Sequence, residues 1–131
     1  MSEANVEVLR QMAATWNRRD LEAYLEVIHP KAEWQTGATR VEGAAYQGHT
    51  GIRQWWADTG GSFEELVVTL DEVRDLDDTV VGLGRLQGRS REGIPVDTEY
   101  GVVIRCRDGL AVWGSDWCRH SDALQAAGLR E

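Results

Sequence analysis

Asp116 is the residue of this sequence whose position points most directly to chemistry. It lies in the segment LAVWGSDWC at residues 110–118, an apolar run typical of a β-strand, between two tryptophans. Burying a carboxylate without a partner is costly, so such a residue faces solvent, is paired, or has a function. A carboxylate in an apolar pocket can remove a proton from a substrate as a general base. Asp116 is therefore a candidate catalytic base, with a solvent-facing position as the alternative.

Glu99 is the second candidate catalytic residue. If Asp108-Gly109 is a two-residue hairpin turn, Asp116 lies directly opposite Gly101 and diagonally opposite Glu99 on one sheet face, and Gly101 lines the pocket beside them. Two carboxylates in a poorly hydrated site raise the pKa of one of them, which gives one proton donor and one acceptor. The alternative is that Glu99 reaches solvent or pairs with an arginine.

Further residues are predicted to line the same pocket: Trp16, Tyr24, Trp34, Thr36 and Trp56. Aromatic walls suit a flat, apolar, ring-bearing ligand, and ordinary core packing is the alternative. Gly82, Gly84 and Gly88 fall on the predicted face of Asp116. Their missing side chains leave bare sheet where a ligand or a helix approaches closely.

The elements that position these residues begin with helices. Apolar residues at helical spacing predict helices over residues 6–16, 21–28 and 50–59. Asp20 is the expected N-cap of the second helix, and His29-Pro30 is expected to end it. The segment AEWQT then reads as a short strand, and a polar loop leads to the third helix, which Gly60-Gly61 is expected to stop.

The second half of the chain reads as strands. Alternating apolar residues predict four of them, in LVVTLDEVRDL, TVVGLGRLQGRSR, IPVDTEYGVVIRCR and LAVWGSDWCRH. Turns are expected at Asp77-Asp78, Glu92-Gly93 and Asp108-Gly109, and a short helix in SDALQAAGL follows. Helices followed by an antiparallel meander predict an α+β fold, with helices on one face of the sheet and a single domain over residues 1–131.

Composition excludes several classes of partner. The chain has 131 residues, 42% of them hydrophobic, and a net charge of -8 without a cluster of basic residues. This charge opposes binding to nucleic acid or to an anionic membrane, and favours a small uncharged or cationic ligand. No apolar segment is long enough to span a membrane and no leader precedes the first helix, so we expect a cytoplasmic protein.

No cofactor or metal is predicted. The sequence lacks a phosphate loop, a dinucleotide fingerprint and a Gly-x-Ser-x-Gly nucleophile motif. Its histidines form no ligand pair, and Cys106 and Cys118 match no metal spacing. Both cysteines fall in apolar strand patterns, so we expect two buried free thiols.

Longer phrases of the sequence carry a family resemblance. WNRRDLEAYLEVIHPKAEW, YQGHTGIRQWW, RDGLAVWGSDW and DALQAAGL are similar to the nuclear transport factor 2-like superfamily, in particular its SnoaL-like polyketide cyclase branch, over nearly the whole chain. The resemblance implies a cone-shaped fold in which a curved antiparallel sheet wraps around the N-terminal helices and leaves a deep pocket. The superfamily includes ketosteroid isomerases, limonene-epoxide hydrolases, polyketide cyclases and proteins of no known activity.

The resemblance also bears on individual residues. Asp116 falls at the last-strand aspartate that serves as base in the hydrolases and cyclases. Trp34 and Thr36 fall where the hydrolases hold a water with tyrosine and asparagine, and neither replacement orients a water well. The isomerase's three catalytic groups fall on Thr36, Met12 and Gly101 and are therefore missing. Asp116 is left as the single candidate base of a reaction that needs no cofactor.

The predicted register also suggests a homodimer. It places Tyr100, Val102 and Ile104 with Trp113 and Trp117 on the face opposite Asp116. Such a strip is larger than a monomer usually exposes, and relatives commonly dimerise through this face.

Three functions are compatible with these observations. The first is a cofactor-independent proton-transfer enzyme, of cyclase or isomerase type, that acts on an apolar cyclic substrate. The second is a non-catalytic protein that binds a small apolar or aromatic ligand in the same pocket. The third is a dimerisation module without a ligand.

Overall fold

The computed structural model describes residues 3–129, which form helices around one curved six-stranded sheet. The elements are, in order, α1 (Glu3–Asn17), α2 (Leu21–Leu25), β1 (Ile28–Gln35), α3 (Gly37–Glu42), β2 (Tyr46–Gln47), α4 (Gly48–Ser62), β3 (Phe63–Leu76), β4 (Thr79–Ser90), β5 (Pro95–Arg107), β6 (Leu110–Trp117) and α5 (His120–Ala126). The strand order is β2-β1-β6-β5-β4-β3, antiparallel except for the parallel β1–β6 pair. The predicted α+β fold is confirmed.

The first two helices follow the sequence pattern, with one difference in length. Asp20 caps α2 as predicted, since its Oδ1 accepts a hydrogen bond of 3.1 Å from the amide of Ala23. The predicted end of α2 at His29-Pro30 is wrong, because the helix ends at Leu25 and these two residues lie in β1. Ile28 pairs there with Ala111 of β6, so long-range strand pairing outweighs local helical spacing.

The segment between β1 and β3 is more helical than predicted. The expected polar loop contains α3, which Thr36 and Thr39 open with a reciprocal capping box. The expected stop at Gly60-Gly61 is also wrong, since α4 continues to Ser62. The backbone there has partners from elsewhere, because Arg91 Nε donates to the Gly61 carbonyl at 2.7 Å.

A β-bulge changes the predicted register of β5 and β6. The Asp108-Gly109 turn forms, with φ values of 55° and 77° that suit a tight hairpin. Beyond it, Val112 is an extra residue in β6 without a partner in β5. Asp116 therefore lies opposite Val102 and not, as predicted, opposite Gly101. A slip of one residue exchanges the two faces, so Glu99 and Gly101 are on the face away from Asp116.

The register of β4 and β5 also differs from the prediction by one residue. Ser90 and Pro95 bound a four-residue loop, instead of a two-residue turn at Glu92-Gly93. This shift and the shift caused by Val112 cancel for the glycines of β4. Gly82, Gly84 and Gly88 therefore share the face of Asp116, as predicted. A helix explains one of them, because a Cβ at Gly82 would lie 2.9 Å from the Leu9 side chain of α1.

Two hydrophobic clusters lie on the two faces of the sheet. The larger one lies on the concave inner face, where buried residues of α1, α2 and α4 pack against the sheet. The smaller one lies on the outer face, where Ala123 and Leu124 of α5 cover Val81, Leu83 and Val103. The outer face at this place is therefore covered by the chain itself.

The aromatic strip that suggested a dimer does not form. Tyr100, Val102 and Ile104 belong to the inner cluster. Trp113 and Trp117 lie on the outer face, where they are half-buried against the smaller cluster and carry arginine side chains over their rings. The prediction of a homodimer thus loses the exposed surface on which it was based.

The two cysteines are free, but only one is buried. Cys106 lies in the inner cluster, and Cys118 is exposed because β6 has already ended at Trp117. The expectation of two buried thiols is therefore wrong for Cys118.

Candidate functional site

A cavity of about 240 Å³ lies between the inner sheet face and α1, α2 and α4. Its wall is mostly apolar, and seven aromatic residues line it: Trp16, Tyr24, Trp34, Trp55, Phe63, Tyr100 and Trp117. Asp116 is the carboxylate in this wall, and Thr36 and Cys118 lie near it in the lining. Such a cavity, with few polar groups among aromatic ones, is typical of a small-molecule site.

Asp116 is half-buried and has a tyrosine as its hydrogen-bond partner. Tyr100 Oη donates to Asp116 Oδ2 at 3.1 Å. Burial raises the pKa of Asp116 to about 6, although the Tyr100 hydrogen bond and the charge of Arg40 both lower it. Near neutral pH the group is therefore mostly ionised, and it is a stronger base than a solvated aspartate.

Tyr24 and Tyr100 supply phenol groups to the same region. Burial raises the pKa of both phenols well above the usual range, and the negative charge of Asp116 raises each further. Both hydroxyls consequently stay protonated and can donate hydrogen bonds. Tyr100 is the diagonal neighbour of Asp116 across β5 and β6, the position at which the sequence predicted Glu99.

Glu99 and Gly101 are not part of this site. Glu99 accepts a hydrogen bond of 2.8 Å from the amide of His120 at the start of α5. That bond is the main reason why the pKa of Glu99 is lowered. Gly101 lies under α5, where an added Cβ would be 2.5 Å from the Ala123 side chain. Both residues therefore hold the C-terminal helix, and the predicted carboxylate pair is wrong.

Trp55, and not Trp56, lies at the centre of the aromatic wall. The Trp55 ring is 5.4 Å from Trp16, 5.3 Å from Trp34 and 5.8 Å from Tyr24 between centroids. Trp56 packs edge-on against Trp16 and Tyr24 but does not line the cavity. Helical spacing could have separated the two, since Ile52, Trp55 and Thr59 follow each other by three and four residues on one face.

Trp34 and Thr36 line the cavity, as predicted. Trp34 lies in β1, and Thr36 follows directly after the end of that strand. The Trp34 ring packs on Gly114, its partner in β6, where a larger residue would collide with it. Its Nε1 is buried without a hydrogen-bond partner among the described residues. Trp16 differs, because its Nε1 donates to the Leu66 carbonyl at 2.9 Å. Thr36 Oγ1 accepts from the Thr39 amide and so holds α3 at the end of β1.

Residues 3–129 contain no group of three or more His, Cys, Asp or Glu side chains that could hold a metal ion. Their helices include none that is long and apolar enough to cross a membrane.

Solved structures share this fold over most of their length. An NTF2-like protein of unknown function from Burkholderia pseudomallei is 21% identical, with 95% of this chain and 97% of that chain covered and a TM-score of 0.81. TerC co-crystallized with polyporic acid is 24% identical, with 89% and 92% covered and a TM-score of 0.80. A protein with a ketosteroid isomerase-like fold from Catenulispora acidiphila, in complex with trimethylamine, is 21% identical, with 94% and 93% covered and a TM-score of 0.76. At these identities the likeness shows the fold alone.

Sequence comparison identifies the family. No curated protein matches the chain. The profile of the SnoaL-like domain matches residues 9–113, which hold the cavity-lining part of α1 and all of β1 to β5. Together with the NTF2-like architecture, this match confirms the resemblance seen in the sequence: the chain belongs to the SnoaL-like domain family.

Proposed function

We propose that this protein is a cofactor-independent enzyme in which Asp116 removes a proton from a carbon acid held in the aromatic cavity. The observation that carries the proposal is the Asp116–Tyr100 pair. A carboxylate whose pKa burial raises to about 6 lies in an apolar wall, with one oxygen fixed by a phenol 3.1 Å away. A general base works best when its pKa lies near the working pH.

The proposed step begins with a substrate that carries a carbonyl group next to an acidic C–H bond. Asp116 Oδ1 accepts the proton, and the electron pair of the broken C–H bond moves onto the carbonyl oxygen. Tyr100 continues to donate to Oδ2 and keeps the carboxyl group oriented. Tyr24 lines the same cavity with a protonated phenol, so it can donate a hydrogen bond to the enolate oxygen.

The substrate class follows from the shape and polarity of the cavity. A wall with seven aromatic residues around about 240 Å³ suits one small, flat, largely apolar molecule. Two proteins of the same fold were crystallised with small organic molecules, polyporic acid and trimethylamine, which supports a small-molecule ligand here. Apolar cyclic carbonyl compounds fit both the cavity and the chemistry.

A non-catalytic ligand-binding protein is the second candidate, because it would use the same cavity. The Nε1 of Trp34, which is buried and has no hydrogen-bond partner within residues 3–129, favours it, since such a donor is typical of a site that an acceptor completes. The homodimer and the cytoplasmic location stay predictions, and the first of them now has no exposed aromatic strip to support it.

The test uses 5-nitrobenzisoxazole, a flat neutral carbon acid whose ring opens to a coloured phenolate when a base removes its proton. We expect wild-type protein to accelerate this opening, and Asp116→Asn to lose the acceleration by about 100-fold or more. Glu99→Gln is the matched control, because it also removes one carboxylate but lies on the other sheet face, and it should keep the wild-type rate.

Binding is measured separately through the fluorescence of the cavity tryptophans. If Asp116→Asn binds the probe and catalyses as well as wild type, Asp116 is not the base and the enzymatic proposal is wrong. If both proteins bind the probe and neither accelerates its opening, the binding function is the better conclusion.

A further inference from the structure

A second depression lies next to the cavity, on the far side of Phe63. It has a volume of about 340 Å³ and lies among the α1–α2 turn, the C-terminal part of α4, the start of β3 and the β4–β5 loop. We call it the arginine pocket, after Arg19 and Arg91, which line it with Trp56, Gly60, Gly61 and Phe63. Phe63 also lines the aromatic cavity, so the two spaces share this ring as a wall.

Two glycines keep the pocket open. Gly60 and Gly61 lie inside α4, although glycine is the poorest helix former after proline. A Cβ at Gly61 would meet no atom within 4 Å, so no packing constraint at that position requires glycine. Bare helix backbone therefore forms part of the pocket floor, and Arg91 Nε reaches it by donating to the Gly61 carbonyl at 2.7 Å.

The pocket carries two cationic groups in a protein of net charge -8. Within residues 3–129, neither Arg19 nor Arg91 has a carboxylate oxygen within ion-pair distance. Glu64 also lines the pocket, but its Oε1 is bound to Arg89 Nε at 3.1 Å. The two guanidinium groups are therefore available to an anion from outside the chain.

Arg19 connects this pocket to the aromatic cavity. Its guanidinium lies over the Trp16 ring, 4.7 Å from the centroid, and Trp16 is part of the cavity wall. A guanidinium held over a ring still has N–H groups at its edge, and two of them can bind a carboxylate through two hydrogen bonds. Arg19 has a φ of 58°, a conformation that favours glycine or asparagine, and the chain nevertheless has arginine there.

From this arrangement we propose that the ligand of the aromatic cavity is an organic anion, whose carboxylate or phosphate group binds between Arg19 and Arg91 while its apolar body passes Phe63. The inference rests on the proposed use of the cavity for a flat apolar molecule. It changes the expected ligand from an uncharged or cationic molecule to an anionic one, because the local positive charge of the arginine pocket, and not the net charge of the chain, decides recognition there.

The test compares 2-naphthoate with methyl 2-naphthoate by calorimetry at pH 7.5 and low salt. The two probes share the flat body and differ in charge. We expect wild type to bind the anion about tenfold more tightly, the size expected for charge-assisted hydrogen bonds. The preference should shrink in 0.5 M salt, since these groups are partly exposed. A third probe, 2-naphthyl phosphate, distinguishes the two anion classes by which is bound more tightly.

Variants assign the preference to the pocket. Arg19→Gln/Arg91→Gln should bind both naphthoate probes with the affinity that wild type has for the ester. Arg74→Gln/Arg85→Gln is the control, because it changes the net charge equally at arginines that pair with Glu72 and Asp97 outside the pocket. Arg19→Lys/Arg91→Lys keeps the charge and should keep part of the preference, which excludes a simple loss of folding.

Several outcomes would overturn the anion site: no binding of 2-naphthoate to wild type at millimolar concentration, equal affinity for acid and ester, or a preference that persists in Arg19→Gln/Arg91→Gln. Failure of the proposed function would look different. In that case Asp116→Asn would open the neutral benzisoxazole probe as fast as wild type, whatever the two naphthoate affinities are.

Discussion

The two faces of the sheet shift the pKa values of their carboxylates in opposite directions. Asp116 of β6 lies on the inner face, where burial raises its pKa to about 6. Glu99 of β5 lies on the outer face, where a hydrogen bond from the His120 amide lowers its pKa. The inner face therefore keeps a destabilised charge in an apolar cavity, and the outer face uses its charge to hold α5. One residue of register thus decides whether a carboxylate lies in the cavity or against α5.

Gly101→Val should disrupt the packing of α5 on the outer face without changing the inner face. An added Cβ there would lie 2.5 Å from that of Ala123, so α5 must move away from the sheet. We expect the free energy of unfolding to fall by about 2–3 kcal/mol, as for other overpacked sites. Thermal unfolding measures the loss, and NMR titration should find the pKa of Asp116 unchanged. A large shift of that pKa would mean that the two faces are coupled.

Asp116→Asn should stabilise the protein at neutral pH. A folded-state pKa of about 6, above the ordinary 3.8, means that ionisation of Asp116 opposes folding. The stability that the protonated group contributes is therefore fully present below pH 3.8 and is lost as the pH rises through about 6. We expect a gain of about 2 kcal/mol at pH 7.5 that disappears below pH 4. Denaturant unfolding at both pH values provides the measurement.

Glu99→Gln is the matched variant on the outer face, and its expected effect on the free energy of unfolding has the opposite sign. The lowered pKa of Glu99 contributes stability above its ordinary pKa, and that stability is lost as the pH falls through the folded value. We therefore expect Glu99→Gln to be less stable than wild type at pH 7.5. Variants that change stability in the same direction would contradict the contrast between the faces.

Tyr100→Phe changes the inner face, and it should have the smallest effect of these variants. The Tyr100 hydrogen bond lowers the pKa of Asp116, so its loss should raise that pKa further. The acid limb of the pH–rate profile for 5-nitrobenzisoxazole should move to higher pH, with a roughly threefold lower rate at pH 5.5 and little change at pH 8. An unchanged acid limb would show that Tyr100 does not interact with the reacting carboxylate.

Local signals predicted much of the fold. Asp20 caps α2, and Asp108-Gly109 forms the hairpin turn, because both depend on residues within a few positions along the chain. The apolar spacing of α1 correctly predicted that Trp16 lies inside. The same kind of signal failed at Gly60-Gly61 and at His29-Pro30. A distant arginine binds the Gly61 carbonyl, and Ile28, just before His29, pairs with a distant strand.

The site itself was predicted only in part. Asp116, Trp16, Tyr24, Trp34 and Thr36 line the cavity, whereas Glu99, Gly101 and Trp56 do not. Trp55 and Tyr100 were missed, each one residue away from a predicted position. Side chains repeat their direction every two residues along a strand and about every 3.6 residues along a helix. An error of one residue therefore moves a side chain to another face.

By itself, the sequence determined the α+β class, the family, the turn at Asp108-Gly109 and the presence of one carboxylate in an apolar strand. Only the tertiary structure decided which face that carboxylate occupies. The extra residue Val112 bulges out of β6 and turns Asp116 towards Tyr100 and the cavity, while Glu99 turns towards α5. A bulge depends on how two strands and the layers packed on them fit together, and no pattern along a single strand records that fit.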